Sequence, residues 1–249
     1  MGNYPAGIPA PSVYKVHSPL FSPNCHWLGN GSLAEEIEAI KDYSLSVKSG
    51  SLKYAPGLNG KKCFHFSGAE RLGLNDPTDK GDFQAVEITV AMWYRSPVNA
   101  SQMPFSISSP TAVDASDNDV LNVRITGTAE KSIVALGHDV GVLTNGQRGT
   151  DTAILYGDGW NHAIFHRSGT GGTQTFRGYL NGCGAWVAGD SSAITKVVPG
   201  ANSTPSLGAN ADGTALFTGH LQSIMVWFRA LTNAEMQSIV RSVGLEVMT

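Results

Sequence analysis

The chain has 249 residues, 41% hydrophobic and 15% charged, with a formal net charge of −3. That length fits one large domain or two small ones, and the apolar fraction argues against a disordered or membrane-embedded chain. The small negative charge, with no run of like charges, argues against a nucleic-acid or anionic-membrane partner.

Residues 1–23 hold Pro5, Pro9, Pro11, Pro19 and Pro23. Proline at that density prevents a helix and predicts an extended arm. Tyr4, Tyr14, Leu20 and Phe21 are the apolar anchors in it, and they make the arm a candidate contact with other protein subunits. The first residues lack a basic and then apolar segment, so no secretory signal and cytoplasmic synthesis are expected. No apolar run approaches the roughly 18 residues of a spanning helix, so no membrane insertion is expected.

From residue 24 to 249 the chain reads as one β-sandwich. A short helical pattern at Leu33–Ile40 comes first, and then alternation takes over. Period-2 runs appear in Ser44–Lys48, Cys63–Phe66, Val86–Arg95, Leu121–Thr126, Trp160–His166, Phe176–Leu180 and Leu216–Phe228. Alternation puts one set of side chains on a core face and the other toward solvent. Turn pairs such as Pro56-Gly57, Asn59-Gly60, Asn145-Gly146 and Asn181-Gly182 punctuate the runs. Near the C-terminus Thr232 and Glu235 form a capping box, with Leu231 and Met236 as a staple around it. Met236, Ile239, Val240 and Val243 then recur at helical spacing. Cys25, Cys63 and Cys183 cannot all pair within one chain and fit no zinc spacing, which predicts free thiols in a reducing compartment.

Four segments in order resemble the laminin-G-like, concanavalin A-like jelly-roll superfamily. Ser51–Gly68 is similar to its opening hairpin, and Val86–Arg95 to its central strand, whose Trp sits in the sandwich core. Gly159–His166 with Gly178–Gly182 resembles a paired-strand motif. Leu207-Gly208 with Phe217–Leu231 resembles the final strand and helix start. The resemblance covers roughly residues 25–243 and implies an all-β fold: a two-sheet antiparallel jelly-roll sandwich with a short C-terminal helix and the N-terminal arm outside it. Trp93, Trp160 and Trp227 are then expected as core aromatics. Trp186 is expected in a loop between Gly184 and Gly189, as an exposed contact.

Glycosidases of this superfamily carry two carboxylates on one strand face, about 5 Å apart in the retaining case. No glutamate here has an aspartate two residues on, and Glu87 is followed on its face by Thr89 and Ala91. No G-x-S-x-G elbow is present. His162 and His166 share a strand face without further metal ligands and read as structural. Relatives that bind calcium carry acids on the final strand, where this chain has Gln222 and Ser223. The remaining metal candidates are the turn acids Asp76, Asp79 and Asp82. No catalytic residue and no cofactor are therefore expected, with calcium in doubt. The reading that follows is a non-catalytic interaction module, an accessory protein of a larger assembly such as a bacteriophage head or tail, which would place it on a virion surface. The alternative is a lectin that binds surface glycans, with Trp186, Tyr156, Asp114, Asp117 and Asp119 as contacts. A glycoside hydrolase is the remote third.

Overall fold

The computed structural model describes residues 23–29, 31, 43–75, 83, 87–98, 100–108, 121–125, 133–136, 148–149, 159–168, 175–181, 183–187, 204–210 and 213–242. Residues 1–22 of the 1–23 arm and the helical pattern at Leu33–Ile40 lie outside them. Numbered in chain order, the strands form two antiparallel sheets. Sheet A holds β1 (Cys25–Trp27), β3 (Lys53–Pro56), β4 (Lys62–Ser67), β6 (Ile88–Arg95), β11 (Asn161–Ser168), β12 (Thr175–Leu180), β13 (Cys183–Val187) and β15 (Thr218–Trp227). Their order is β13-β12-β11-β6-β15-β4-β3, with β1 also paired to β15. Sheet B holds β2 (Leu45–Ser49), β5 (Arg71–Leu74), β7 (Gln102–Ser108), β8 (Leu121–Ile125), β9 (Ile133–Leu136), β10 (Arg148–Gly149) and β14 (Thr204–Leu207), in the order β10-β9-β8-β7-β14-β5-β2.

The alternation seen in the sequence sorts side chains between the two faces of each sheet. Ile88, Val90, Met92 and Tyr94 of β6, with Phe64, Phe66, Ala163 and Phe165 beside them, pack inward. They meet Leu72, Phe105, Ile107, Val123 and Leu207 of sheet B. Each such fully buried Leu, Ile or Phe contributes about 1.5–3 kcal/mol relative to exposure. Antiparallel pairing among strands distant in the chain, such as β15 between β4 and β6, makes the jelly roll.

The outer face of sheet A carries α1 (Asn233–Ser242) over one half. Leu231, Met236 and Ile239 pack there on Ala91, Ile164, Met225 and Trp227. The capping box forms as expected: Thr232 N–H donates to Glu235 Oε2 at 2.7 Å, and Glu235 N–H to Thr232 Oγ1 at 3.3 Å. Arg229 grips the same carboxylate through both terminal nitrogens, at 3.0 and 2.6 Å. Those hydrogen bonds hold Glu235 down to about 2. His166 is structural, since its Nδ1–H donates to the Leu231 carbonyl at 3.0 Å.

Two expectations are corrected. Trp186 lies in strand β13, opposite Gly178 of β12, rather than in a loop. The reason is local: Asn181 takes a left-handed φ of 52°, which turns the chain straight back so that Cys183–Val187 pairs on β12. Trp93 and Trp227 are buried, but not between the sheets. Both project from the outer face of sheet A, Trp227 under α1 and Trp93 against Leu58. Odd positions on β6 face outward, so its even positions fill the sandwich interior.

Candidate functional site

The half of this outer face away from α1 is built differently, and a bulge in β15 marks the change. Leu221 points into the sandwich and Gln222 outward; Ser223, with φ of 52°, is then an extra residue. The β15–β6 register shifts between Gln222 and Met225, so Ile224 and Val226 point inward and Met225 and Trp227 outward. Ser223 is held in place by its hydroxyl, 2.8 Å from His26 Nε2. Without the bulge the two halves of β15 could not place His220, Gln222, Met225 and Trp227 on one face.

Pairing then lines up one transverse row. Lys53 of β3 is opposite His65 of β4, His65 opposite His220 of β15, and His220 opposite Arg95 of β6. Directly opposed residues in an antiparallel pair share a face. Trp160, just before β11, closes the row: the Arg95 guanidinium carbon stands 5.6 Å from its ring centroid, and the His220 ring 6.3 Å away. Lys53 is exposed, and His65, His220, Arg95 and Trp160 are partly exposed. Gly219 allows this close assembly. Its φ is +154°, and a Cβ there would run into the Arg95 carbonyl oxygen.

The polar groups of the row touch in sequence. A guanidinium only donates, and Arg95 Nη2 lies 3.3 Å from His220 Nδ1 and 3.4 Å from His220 Nε2. His220 Nε2 is in turn 3.1 Å from His65 Nδ1, one of the two nitrogens donating and the other accepting. Burial, the Arg95 charge and His65 together hold His220 down to about 4, so its ring is neutral near pH 7.

A second, deeper row lies one step toward α1. Gln222, Trp93 and His162 are directly opposed, and they are 8%, 7% and 0% exposed. The 3-10 turn Leu58–Gly60 closes over it: Leu58 N–H donates to Gln222 Oε1 at 2.8 Å, and Leu58 packs on Trp93. The His162 ring packs tilted against Trp93, with centroids 4.8 Å apart and neither ring nitrogen hydrogen-bonded, and burial holds it down to about 3. The lower row is a floor, and the upper row is what a ligand can reach.

None of the fifteen described strands contains an aspartate or a glutamate. A carboxylate pair on one strand face, the arrangement a retaining glycosidase uses, is therefore absent from these strands. Gln222 and Ser223, at the positions expected to hold calcium-binding acids, are engaged with Leu58 and His26 instead.

A sequence-family model described as the concanavalin A-like lectin/glucanases superfamily matches residues 73–237. The chain belongs to this superfamily. Solved structures agree with the assignment. Domain 4 of AbnA, a GH43 extracellular arabinanase from Geobacillus stearothermophilus, in complex with arabinotriose, superposes with a TM-score of 0.60 at 13% identity, over 88% of this chain and 98% of that one. The Ruminococcus gnavus IT-sialidase CBM40 bound to alpha2,3 sialyllactose gives 0.57 at 15% identity, over 72% and 96%. The binding domain of botulinum neurotoxin DC in complex with SialylT gives 0.57 at 11% identity; the match spans 89% of this chain and 52% of that one. At these identities the likeness is one of fold. No curated protein sequence matches the chain.

Of the residues the sequence singled out as contacts, this concanavalin A-like domain shows only the backbone of Trp186, in β13. Tyr156, Asp114, Asp117 and Asp119, the turn acids Asp76, Asp79 and Asp82, and the arm anchors Tyr4, Tyr14, Leu20 and Phe21 lie outside the described residues. Among the described residues no three His, Cys, Asp or Glu are grouped to hold a metal. Cys25 and Cys63 are buried and in no disulfide, and burial pushes the Cys63 thiol up to about 11. The row itself is not legible in the sequence, where Trp160 reads as a core aromatic. Its members lie on four strands and one strand approach, scattered over residues 53–220, and only the strand register brings them together.

Proposed function

We propose that this protein binds a glycan across the open half of the outer face of sheet A and does not hydrolyse it. The observation that carries the reading is the upper row: a partly exposed Trp160 beside the donors of Arg95, His65 and Lys53, fixed on paired strands over a packed floor. A sugar presents an apolar ring face and a rim of hydroxyls, which an aromatic plate and rigid polar groups match. Supporting it, the similar solved domains include an arabinanase domain in complex with arabinotriose and a CBM40 bound to sialyllactose. The same comparisons lend no support to a virion accessory role, which rested on the Pro-rich arm, the missing secretory signal, the cysteine usage and the missing catalytic acids.

The test is a glycan array probed with the full chain and with Trp160→Ala. Binding to a restricted set of glycans, weakened by about tenfold or more in the variant, is the expected outcome. An array empty both with and without calcium would remove the proposal. Binding lost in Trp186→Ala but kept in Trp160→Ala would move the site to the β13 edge.

A further inference from the structure

Twenty acidic residues occur in the chain, yet the described strands hold none, and the open half of sheet A gathers Lys53, His65, His220 and Arg95 in one line. From this we infer that the upper row recognises an acidic glycan, one bearing carboxylate or sulfate groups, with Arg95 and Lys53 as its charge-bearing contacts; the inference rests on the glycan-binding reading above.

Arg95 faces no carboxylate among the described residues. Its neighbours are a neutral imidazole at 3.3 Å and the Trp160 ring. A partly buried guanidinium that meets no carboxylate among the described residues carries a desolvation cost, which an anion from solution offsets through the planar fork that matches carboxylate and sulfate oxygens. The carboxylate at the end of β4 is already committed: Glu70 accepts from Ser67 N–H at 2.6 Å and from Ser67 Oγ–H at 2.7 Å. A cation is disfavoured here, since Arg95 and Lys53 flank the histidines on both sides. Four inter-strand steps of about 4.8 Å give the row a length of about 19 Å, which suits an oligosaccharide better than a single sugar.

Acidity adds a second signature. Among the described residues the groups facing His220 are Lys53 on β3, Cys63 and His65 on β4, Arg95 on β6, and Trp160 and His162 at β11, and none of these is an acid. Burial is the larger cause that disfavours the His220 imidazolium and the Arg95 charge the next, and an anion bound along the row opposes the Arg95 part. His220 then takes up a proton on binding, and affinity rises as pH falls from about 7 toward 5.5.

The experiment uses the full chain on an array of matched pairs, with each acidic glycan beside its neutral parent. Trigalacturonate is set against its methyl ester, and a sulfated galactan oligosaccharide against its desulfated form, so the two arms show which anion is read. The acidic members are expected to bind about tenfold or more tightly than their parents, more tightly at about pH 5.5 than at about pH 7, and to weaken as salt rises from about 0.05 to 0.5 M. Arg95→Gln removes the preference. Should that variant unfold, Lys53→Gln at the exposed sheet edge reduces the preference and its salt dependence. Equal binding of acidic and neutral partners, lost in Trp160→Ala, overturns this inference and leaves the glycan reading standing. An array with no binder overturns both.

Discussion

At the scale of single residues, the site depends on a position with no side chain. Gly219 lies between Thr218 and His220, and its missing Cβ lets β15 approach the Arg95 carbonyl. Gly219→Ala adds a methyl group where the backbone of β6 already stands, in a conformation that L side chains rarely adopt. We expect a loss of about 2 kcal/mol or more in a urea titration, and weakened glycan binding in whatever folds, because the Arg95 backbone must shift. This residue could not be read from the sequence. Its φ and the closeness of β6 are consequences of pairing between segments 125 positions apart, as the His220–Arg95 contact shows. What was legible locally was the chemistry of the capping box. Thr232 and Glu235 sit three residues apart and interact within one turn.

At the scale of elements, the alternating runs became β2, β4, β6, β8, β11, β12 and β15 within a residue or two at most ends. Strands that the pattern missed have identifiable reasons. β7 contains Pro104 beside a register irregularity, and β14 contains Pro205, so both break the donor pattern a central strand is expected to keep. β5 (Arg71–Leu74) is too short for periodicity to register. The face that each run presents was less legible than its existence. Trp93 was assigned to the inter-sheet core although its neighbours Met92 and Tyr94 occupy it, since alternation reports that two faces differ, not which one the second sheet covers. Helix α1 is the element most open to a direct test. Thr232→Ala removes the acceptor for Glu235 N–H and should cost about 1 kcal/mol, read as a lowered Tm of about 2–4 °C.

At the scale of the whole molecule, three buried or partly buried rings make the fold acid-sensitive. Burial holds His26 and His220 down to about 4 and His162 to about 3, against 6.5 for an ordinary imidazole. The unfolded chain protonates these rings near pH 6.5 while the folded chain resists, so between those values the unfolded state binds more protons. The stability contributed by the neutral rings is full above about pH 6.5 and is lost as pH falls toward 4. Thermal melts at about pH 7.5 and about pH 5 should show a lower Tm in acid, and a saturating acidic glycan should recover part of the His220 share. A Tm independent of pH over that range would contradict the burial of these rings. The extra residue at Ser223 has a reach of its own. It acts as a phase slip: before it, even-numbered positions of β15 look outward, and after it odd-numbered ones do. Any relative lacking that residue, aligned to this chain without a gap there, would have its inward and outward positions exchanged on one side of the bulge. Recognition residues transferred across the superfamily at 11–15% identity must therefore be counted from the bulge outward in both directions.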